Sequence, residues 1–228
     1  MKAEGILPGV LPGAAGFHAR GFFDKVVEID TCHLQDEPTN HIRKAVAQFA
    51  ITHSMPFYDT RLHQGWLRNM FVRNTTTGEW MINIVFGYEA EAVRKKLLDQ
   101  LLVTFPQITT LLYTINTKKN DSLFELEPRV YAGKGFIIER LEDFSFMIGP
   151  KSFFQTNTRQ AEKLYNVTRE YAGLNGTQVV YDLYCGTGSI GIYVSKLANK
   201  IVGVEVVEEA IIDAKKNAAL NNIPQASF

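Results

Sequence analysis

The stretch of this 228-residue chain whose residue types could do chemistry is Asp182-Leu-Tyr-Cys-Gly-Thr-Gly-Ser-Ile-Gly191. Gly186, Gly188 and Gly191 match G-x-G-x-x-G, and Glu205 lies 19 residues past Gly186. Glycines at these places let the backbone turn tightly and come close to a ligand. An acidic side chain ending the next strand can accept both hydrogen bonds of a ribose diol. The pattern predicts a nucleotide site, and Asp182 decides which nucleotide. A carboxylate four positions before the first glycine would repel a pyrophosphate seated on the helix N-terminus. It would hold a ligand with a positive end, and S-adenosylmethionine carries both a sulfonium and an ammonium. Asp182 could also bond the backbone amides of its own turn, and the two roles are compatible.

Such a loop needs a strand before it and a helix after it. Residues 177–184 read as the strand, Ile190, Tyr193, Val194 and Leu197 as the helix, 201–205 as a second strand, and Val207, Ile211, Ala214 and Ala218 as a second helix. This β-α-β-α run opens a doubly wound parallel sheet, and with two strands it is too small to be covered on both faces. Before it, Asn157 and Gln160 form a capping pair for a helix with Ala161, Leu164, Tyr165, Thr168 and Tyr171 on its apolar face, closed by Gly173.

Upstream the pattern is different. Residues 25–30 read as a short strand, and Ile42, Val46 and Phe49 recur at helical spacing. Residues 66–73 and 79–86 flank Asn74-Thr-Thr-Thr-Gly78 as a hairpin, Ala92 to Leu102 is an amphipathic helix, 109–117 a strand, and 136–141 with 144–149 a second hairpin. The predicted organisation is a linker or ragged start over 1–16, a mixed α/β central domain over 17–149, and the N-terminal part of a Rossmann-like domain over 150–228.

Composition narrows the classes. The hydrophobic fraction of 46% suits a globular chain, and no apolar run reaches the roughly 18–20 residues that cross a bilayer. Pro and Gly stand in Met1 to Gly16 where a signal peptide would be apolar, so the chain reads as cytoplasmic, with no membrane partner. Its 24 basic and 24 acidic residues balance, so any RNA footprint must be local or supplied from elsewhere. Arg61, Arg68, Arg73, Lys118, Lys119 and Lys134 could touch phosphate, although solvated surface charge is the plainer reading. Cys32 and Cys185 show no metal-ligand spacing, so no metal site is expected.

Asp182-Leu-Tyr-Cys-Gly-Thr-Gly188 resembles the first motif of class I methyltransferases. Lys151-Ser-Phe-Phe-Gln-Thr-Asn-Thr-Arg-Gln-Ala-Glu-Lys-Leu-Tyr165 is similar to a segment of the RNA uracil-C5 methyltransferases. Asn217-Ala-Ala-Leu-Asn-Asn222, Gly16-Phe-His-Ala-Arg20, Phe23-Asp-Lys-Val26 and Ile29-Asp-Thr-Cys32 fit the same family. The resemblance implies S-adenosyl-L-methionine as cofactor, contacted by Gln155, Asp182, Tyr184, Gly186, Gly188, Ser189 and Glu205, with Ser189 standing where several members have Asn. It implies RNA as substrate, 23S rRNA first and tRNA as the alternative. By local pattern alone, Gln155 is a flank of the next helix and Tyr184 a core aromatic.

The resemblance also implies parts that this sequence lacks: a small N-terminal RNA-binding barrel, a Ser-Cys-Asn-Pro-like stretch with the nucleophilic cysteine, and a downstream glutamate base. No catalytic residue is therefore expected in this chain, and Cys185, inside the turn, is not read as a nucleophile. Cys32 stands about where iron-sulfur members place one of four cluster cysteines; without the other three it is expected to be a free thiol. Two other classes compete. An NAD-dependent oxidoreductase is supported by the literal glycine pattern and opposed by Asp182. A non-catalytic RNA-binding module is supported by the missing nucleophile and opposed by the complete loop.

Overall fold

A computed structural model describes residues 14–123 and 125–228, so the predicted linker over 1–16 lies almost wholly outside the described residues. Two compact units emerge. The first holds the described residues through Val72 together with Met81–Gly135; the second holds Arg73–Trp80 with Phe136–Phe228.

The first unit begins with a minimal antiparallel pair, β1 (Phe17–His18) and β2 (Val26–Val27), in which Phe17 faces Val27. The strand expected over 25–30 shrinks to these two residues. α1 (Thr39–Thr52) follows and buries Ile42, Val46 and Phe49, the triad its spacing had marked. A sheet of order β3-β4-β5-β6 is built from β3 (Leu67–Asn74), β4 (Trp80–Phe86), β5 (Ile108–Ile115) and β6 (Arg129–Ala132), with α2 (Glu91–Thr104) between β4 and β5. β6 pairs antiparallel with β5 across a register shift at Leu111/Leu112. β6 was not expected, because Arg129-Val-Tyr-Ala132 is too short to show a period.

β4 is buried along its whole length, as an apolar run in the interior of a sheet must be. Ile82, Ile84 and Phe86 join Leu97, Leu98 and Leu101 of α2 in one cluster, with Trp66 stacked on Phe86 at 4.5 Å. Asn83, which alternates to the other face, is buried and accepts a hydrogen bond from Thr114 Oγ1 at 3.1 Å.

The second unit opens with the hairpin β7 (Ile137–Leu141) and β8 (Phe144–Ile148), then α3 (Thr158–Ala172). Asn157 caps α3 by accepting from Gln160 N at 3.1 Å, and Gly173 ends it in the left-handed region. The parallel sheet has the order β11-β10-β9: β9 (Val179–Leu183), β10 (Lys200–Val204) and a third strand, β11 (Ala226–Ser227), where two were expected. α4 (Ser189–Val194) continues into a single 3-10 turn, and α5 (Glu208–Leu220) follows β10. Val179, Tyr181 and Leu183 of β9 stay exposed, as do Leu164 and Tyr171 on the apolar face of α3, where Ala161 and Tyr165 are buried.

α5 is joined to β8 by side-chain amides in place of a neighbouring strand. Asn221 accepts from Ser145 N at 2.8 Å and donates to Ser145 O at 2.7 Å, while Asn217 accepts from Met147 N at 2.7 Å. Asn217 is fully buried, and its Nδ2 donates to Thr187 O in the glycine loop at 3.2 Å. Asn217→Ala would leave the Met147 amide and the Thr187 carbonyl unpaired, so urea unfolding should show a loss of about 2–4 kcal/mol at unchanged m-value. A loss below about 0.5 kcal/mol would mean that water replaces both bonds.

Candidate functional site

β9 and β10 run parallel with Asp182 beside Gly203 and Leu183 beside Val204, so their C-terminal ends lie side by side. The chain leaving β9 turns through three left-handed residues, Tyr184 (φ 58°), Gly186 (φ 53°) and Gly188 (φ 75°). Glycine adopts this conformation freely; for Tyr184 it costs about 1–2 kcal/mol. The turn is held between them, where Cys185 N donates to Val204 O at 3.1 Å. Tyr184 is 89% exposed, which excludes the core-aromatic reading.

The third glycine answers to a different constraint. A Cβ on Gly191 would sit 2.8 Å from Ile201 Cγ2 and 3.0 Å from Asp182 Oδ2, so only glycine lets α4 lie this close to the sheet. Gly191 N donates to Asp182 Oδ2 at 2.8 Å. Burial raises the pKa of this carboxyl, and the Gly191 amide only partly offsets the effect. Glu205 is the opposite case. Its Oε1 accepts from Val207 N at 3.0 Å and Val206 N at 2.7 Å, and its Oε2 from Gly186 N at 3.1 Å. Those amides, Val207 first, hold its carboxyl below the usual glutamate range. Asp182, Gly186, Gly188, Gly191 and Glu205 thus meet at the ends of two adjacent strands.

Ser189 opens α4, and its Oγ lies 3.0 Å from the hydroxyl of Tyr165, a buried residue of α3. Gln155 is exposed in the irregular stretch before α3; two residues earlier, Phe153 O takes a long 3.5 Å bond from Thr187 Oγ1 of the loop. Cys185 is buried, and burial, reinforced by the Asp182 and Glu205 charges, pushes its thiol up to about 11.

Several residues that build this site carry little local signal. Thr187, Asn217 and Tyr165 hold the loop from beneath. Asn217 sits three and four positions from Ala214 and Asn221 on one helix face, and that spacing was the available clue.

The basic residues that might have met phosphate are mostly engaged. Arg68 is 2% exposed at its side chain and donates to the carbonyls of Asn116, Lys118 and Asn120 besides pairing with Asp121. Arg61 pairs with Asp24, Lys118 with Glu125, and Arg73 donates to Ser152 O. Backbone carbonyls engage Arg68 and Arg73, and carboxylates pair with Arg61 and Lys118. A cavity of about 280 Å³ in the first unit, lined in part by Phe17, Arg43, Tyr58 and Phe71, includes none of the loop residues. Among the described residues no group of three or more His, Cys, Asp or Glu is placed to hold a metal, and no helix is long and apolar enough to cross a membrane.

Parallel strands, a glycine loop opening a helix and an acid ending the second strand together define a Rossmann-like methyltransferase fold. The comparisons agree. Residues 126–228 match the family model described as tRNA (Uracil-5-)-methyltransferase. An uncharacterized RNA methyltransferase of Bacteroides thetaiotaomicron is 46% identical over 219 residues, covering 94% of this chain and 48% of that protein. One from Porphyromonas gingivalis is 45% identical, covering 93% and 46%. The crystal structure of Pyrococcus abyssi tRNA (uracil-54, C5)-methyltransferase in complex with S-adenosyl-L-homocysteine superposes with a TM-score of 0.76 at 28% identity, over 93% of this chain and 52% of that one. The chain belongs to the RNA uracil-C5 methyltransferase family, and it spans about half the length of the curated relatives it matches.

With its thiol at about 11, Cys185 is roughly one part in a thousand thiolate at pH 8. Iodoacetamide at that pH should label the half-buried Cys32 and spare Cys185 until urea is added. Equal labelling of both thiols in the folded chain would contradict the geometry of the turn.

Proposed function

We propose that this chain is the cofactor-binding part of an enzyme that methylates C5 of uracil in RNA, with S-adenosyl-L-methionine as donor, acting in the cytoplasm. The observation that carries this reading is Asp182, a carboxyl whose pKa burial raises, at the foot of a glycine loop. A ligand with a positive end relieves that penalty, and a pyrophosphate adds to it.

The residues fit such a cofactor. A Cβ on Gly186 would meet nothing within 4 Å, so that face of the loop is open. Tyr184 presents nearly its whole ring for stacking. Three amides occupy Glu205, leaving one of its roughly four acceptor positions for a ribose hydroxyl. Gln155, Gly188 and Ser189 complete the contact set that we assign. When bound, the cofactor supplies an electrophilic methyl group on sulfur; these residues orient it.

The uracil half of the chemistry needs a thiolate to add at C6 and a base to remove the C5 proton. Cys185 is buried and protonated, so we place both groups outside this chain. The RNA that we assign first is 23S rRNA. A second reading, tRNA, is favoured by the match to the tRNA (Uracil-5-)-methyltransferase family and by the likeness to the Pyrococcus abyssi tRNA (uracil-54, C5)-methyltransferase.

Calorimetry tests the cofactor. The chain should bind S-adenosyl-L-homocysteine and S-adenosyl-L-methionine and leave NAD unbound; tighter NAD binding would transfer the chain to the oxidoreductases. Asp182→Asn keeps an oxygen for Gly191 N and loses the charge, so it should weaken S-adenosyl-L-methionine about tenfold or more. Assayed alone with labelled cofactor and unmodified 23S rRNA or tRNA, the 228-residue chain should give background counts. Turnover abolished by Cys185→Ala would show that this thiol is the nucleophile after all.

A further inference from the structure

Residues 149–157, between β8 and α3, form no regular element, yet they carry Gln155. The backbone of such a stretch is placed by whatever bonds it. Two anchors lie at its ends. At the far end, Asn157 caps α3, and Thr158 Oγ1 donates to Glu139 at 2.7 Å. Glu139 is 1% exposed and is satisfied further by the amide and hydroxyl of Thr76 and by Arg140 N.

At the near end the anchor is Arg73, which belongs by its contacts to the second unit although 76 positions separate it from Gly149. Its Nη1 donates to Ser152 O at 2.6 Å and, more distantly, to Gly149 O at 3.4 Å. Ser152 is fixed on its side-chain face too, where Oγ accepts from Gly149 N at 2.9 Å and donates to Asp213 Oδ2 at 2.5 Å. Phe154 is buried with its ring 5.5 Å from Phe146, so the residue before Gln155 cannot swing out. Burial lowers the pKa of Arg73, but a guanidinium stays charged at any working pH. Its bond to the Ser152 carbonyl is accordingly short and charge-assisted.

We propose that Arg73 is a positioning residue for the cofactor site: by gripping the Ser152 carbonyl it sets the path of residues 152–155 and so places Gln155 against the ligand of the glycine loop. This rests on the reading that the loop binds S-adenosyl-L-methionine. It extends the site to a residue in the strand-and-turn segment Arg73–Trp80, far from the loop in sequence.

A double-mutant cycle, with S-adenosyl-L-homocysteine as the calorimetric probe and thermal melting followed alongside, tests the proposal. Arg73→Met should weaken binding about tenfold, Arg73→Lys should recover part of the loss through a single hydrogen bond, and Gln155→Ala should weaken binding by itself. In the Gln155→Ala background, Arg73→Met should cost little more, because the residue it positions is gone. A general structural defect would weaken both backgrounds equally, and that result would overturn the proposal. So would unchanged affinity in Arg73→Met. If Arg73→Met melts too low to titrate, the same cycle is run with Arg73→Lys and judged by the same coupling. Failure of the unsubstituted chain to bind the probe would reject the cofactor reading itself, and the proposal with it.

Discussion

The bond from Gly191 N to Asp182 Oδ2 is the constraint around which the second unit is arranged. It ties the first turn of α4 to β9 over a distance that tolerates no side chain on Gly191. Because α4 is so close, the intervening loop has to turn back on itself. That accounts for left-handed backbone at Gly186 and Gly188, and for the strained Tyr184. It also leaves a carboxylate in surroundings that disfavour its charge. One geometric decision therefore produces both the shape of the loop and the burial of its carboxyl.

Around that bond, polar side chains do work that strands usually do. Asn217 and Asn221 present amides to β8 as a neighbouring strand would, and Asn217 carries the connection on to the glycine loop. Glu139 gathers donors from three segments, and Arg73 gathers two carbonyls from a fourth. Such hydrogen-bonded polar groups fix positions more narrowly than apolar packing, because a shift of one ångström breaks them. The apolar cluster of the first unit, by contrast, is built of interchangeable aliphatic contacts.

The same reasoning explains why the basic residues of the first unit are poor candidates for phosphate contacts. Arg68 is spent on the turn after β5, where three carbonyls and Asp121 satisfy its fork, with the Tyr58 ring 4.1 Å away. A guanidinium saturated in this way has no donors left for a backbone phosphate. In the second unit, Val179, Tyr181 and Leu183 leave one face of β9 apolar and exposed.

By itself the sequence determined whatever depends on local spacing. The glycine loop with Asp182 before it, the Asn157 cap and the Gly173 stop all follow from residue types within a few positions of one another, and such short-range preferences act before any tertiary contact forms. Tertiary structure alone decided the rest. β11 and β6 are too short to show a period and exist because a partner strand pairs with them. α3 exposes Leu164 and Tyr171 because helical spacing marks an apolar face without saying what will cover it. Arg68 and Arg73 look in sequence like surface charges, and which carbonyls they reach depends on segments about 50 to 80 positions away. Spacing can report which groups a residue offers; only the fold brings the groups that accept them within hydrogen-bonding distance.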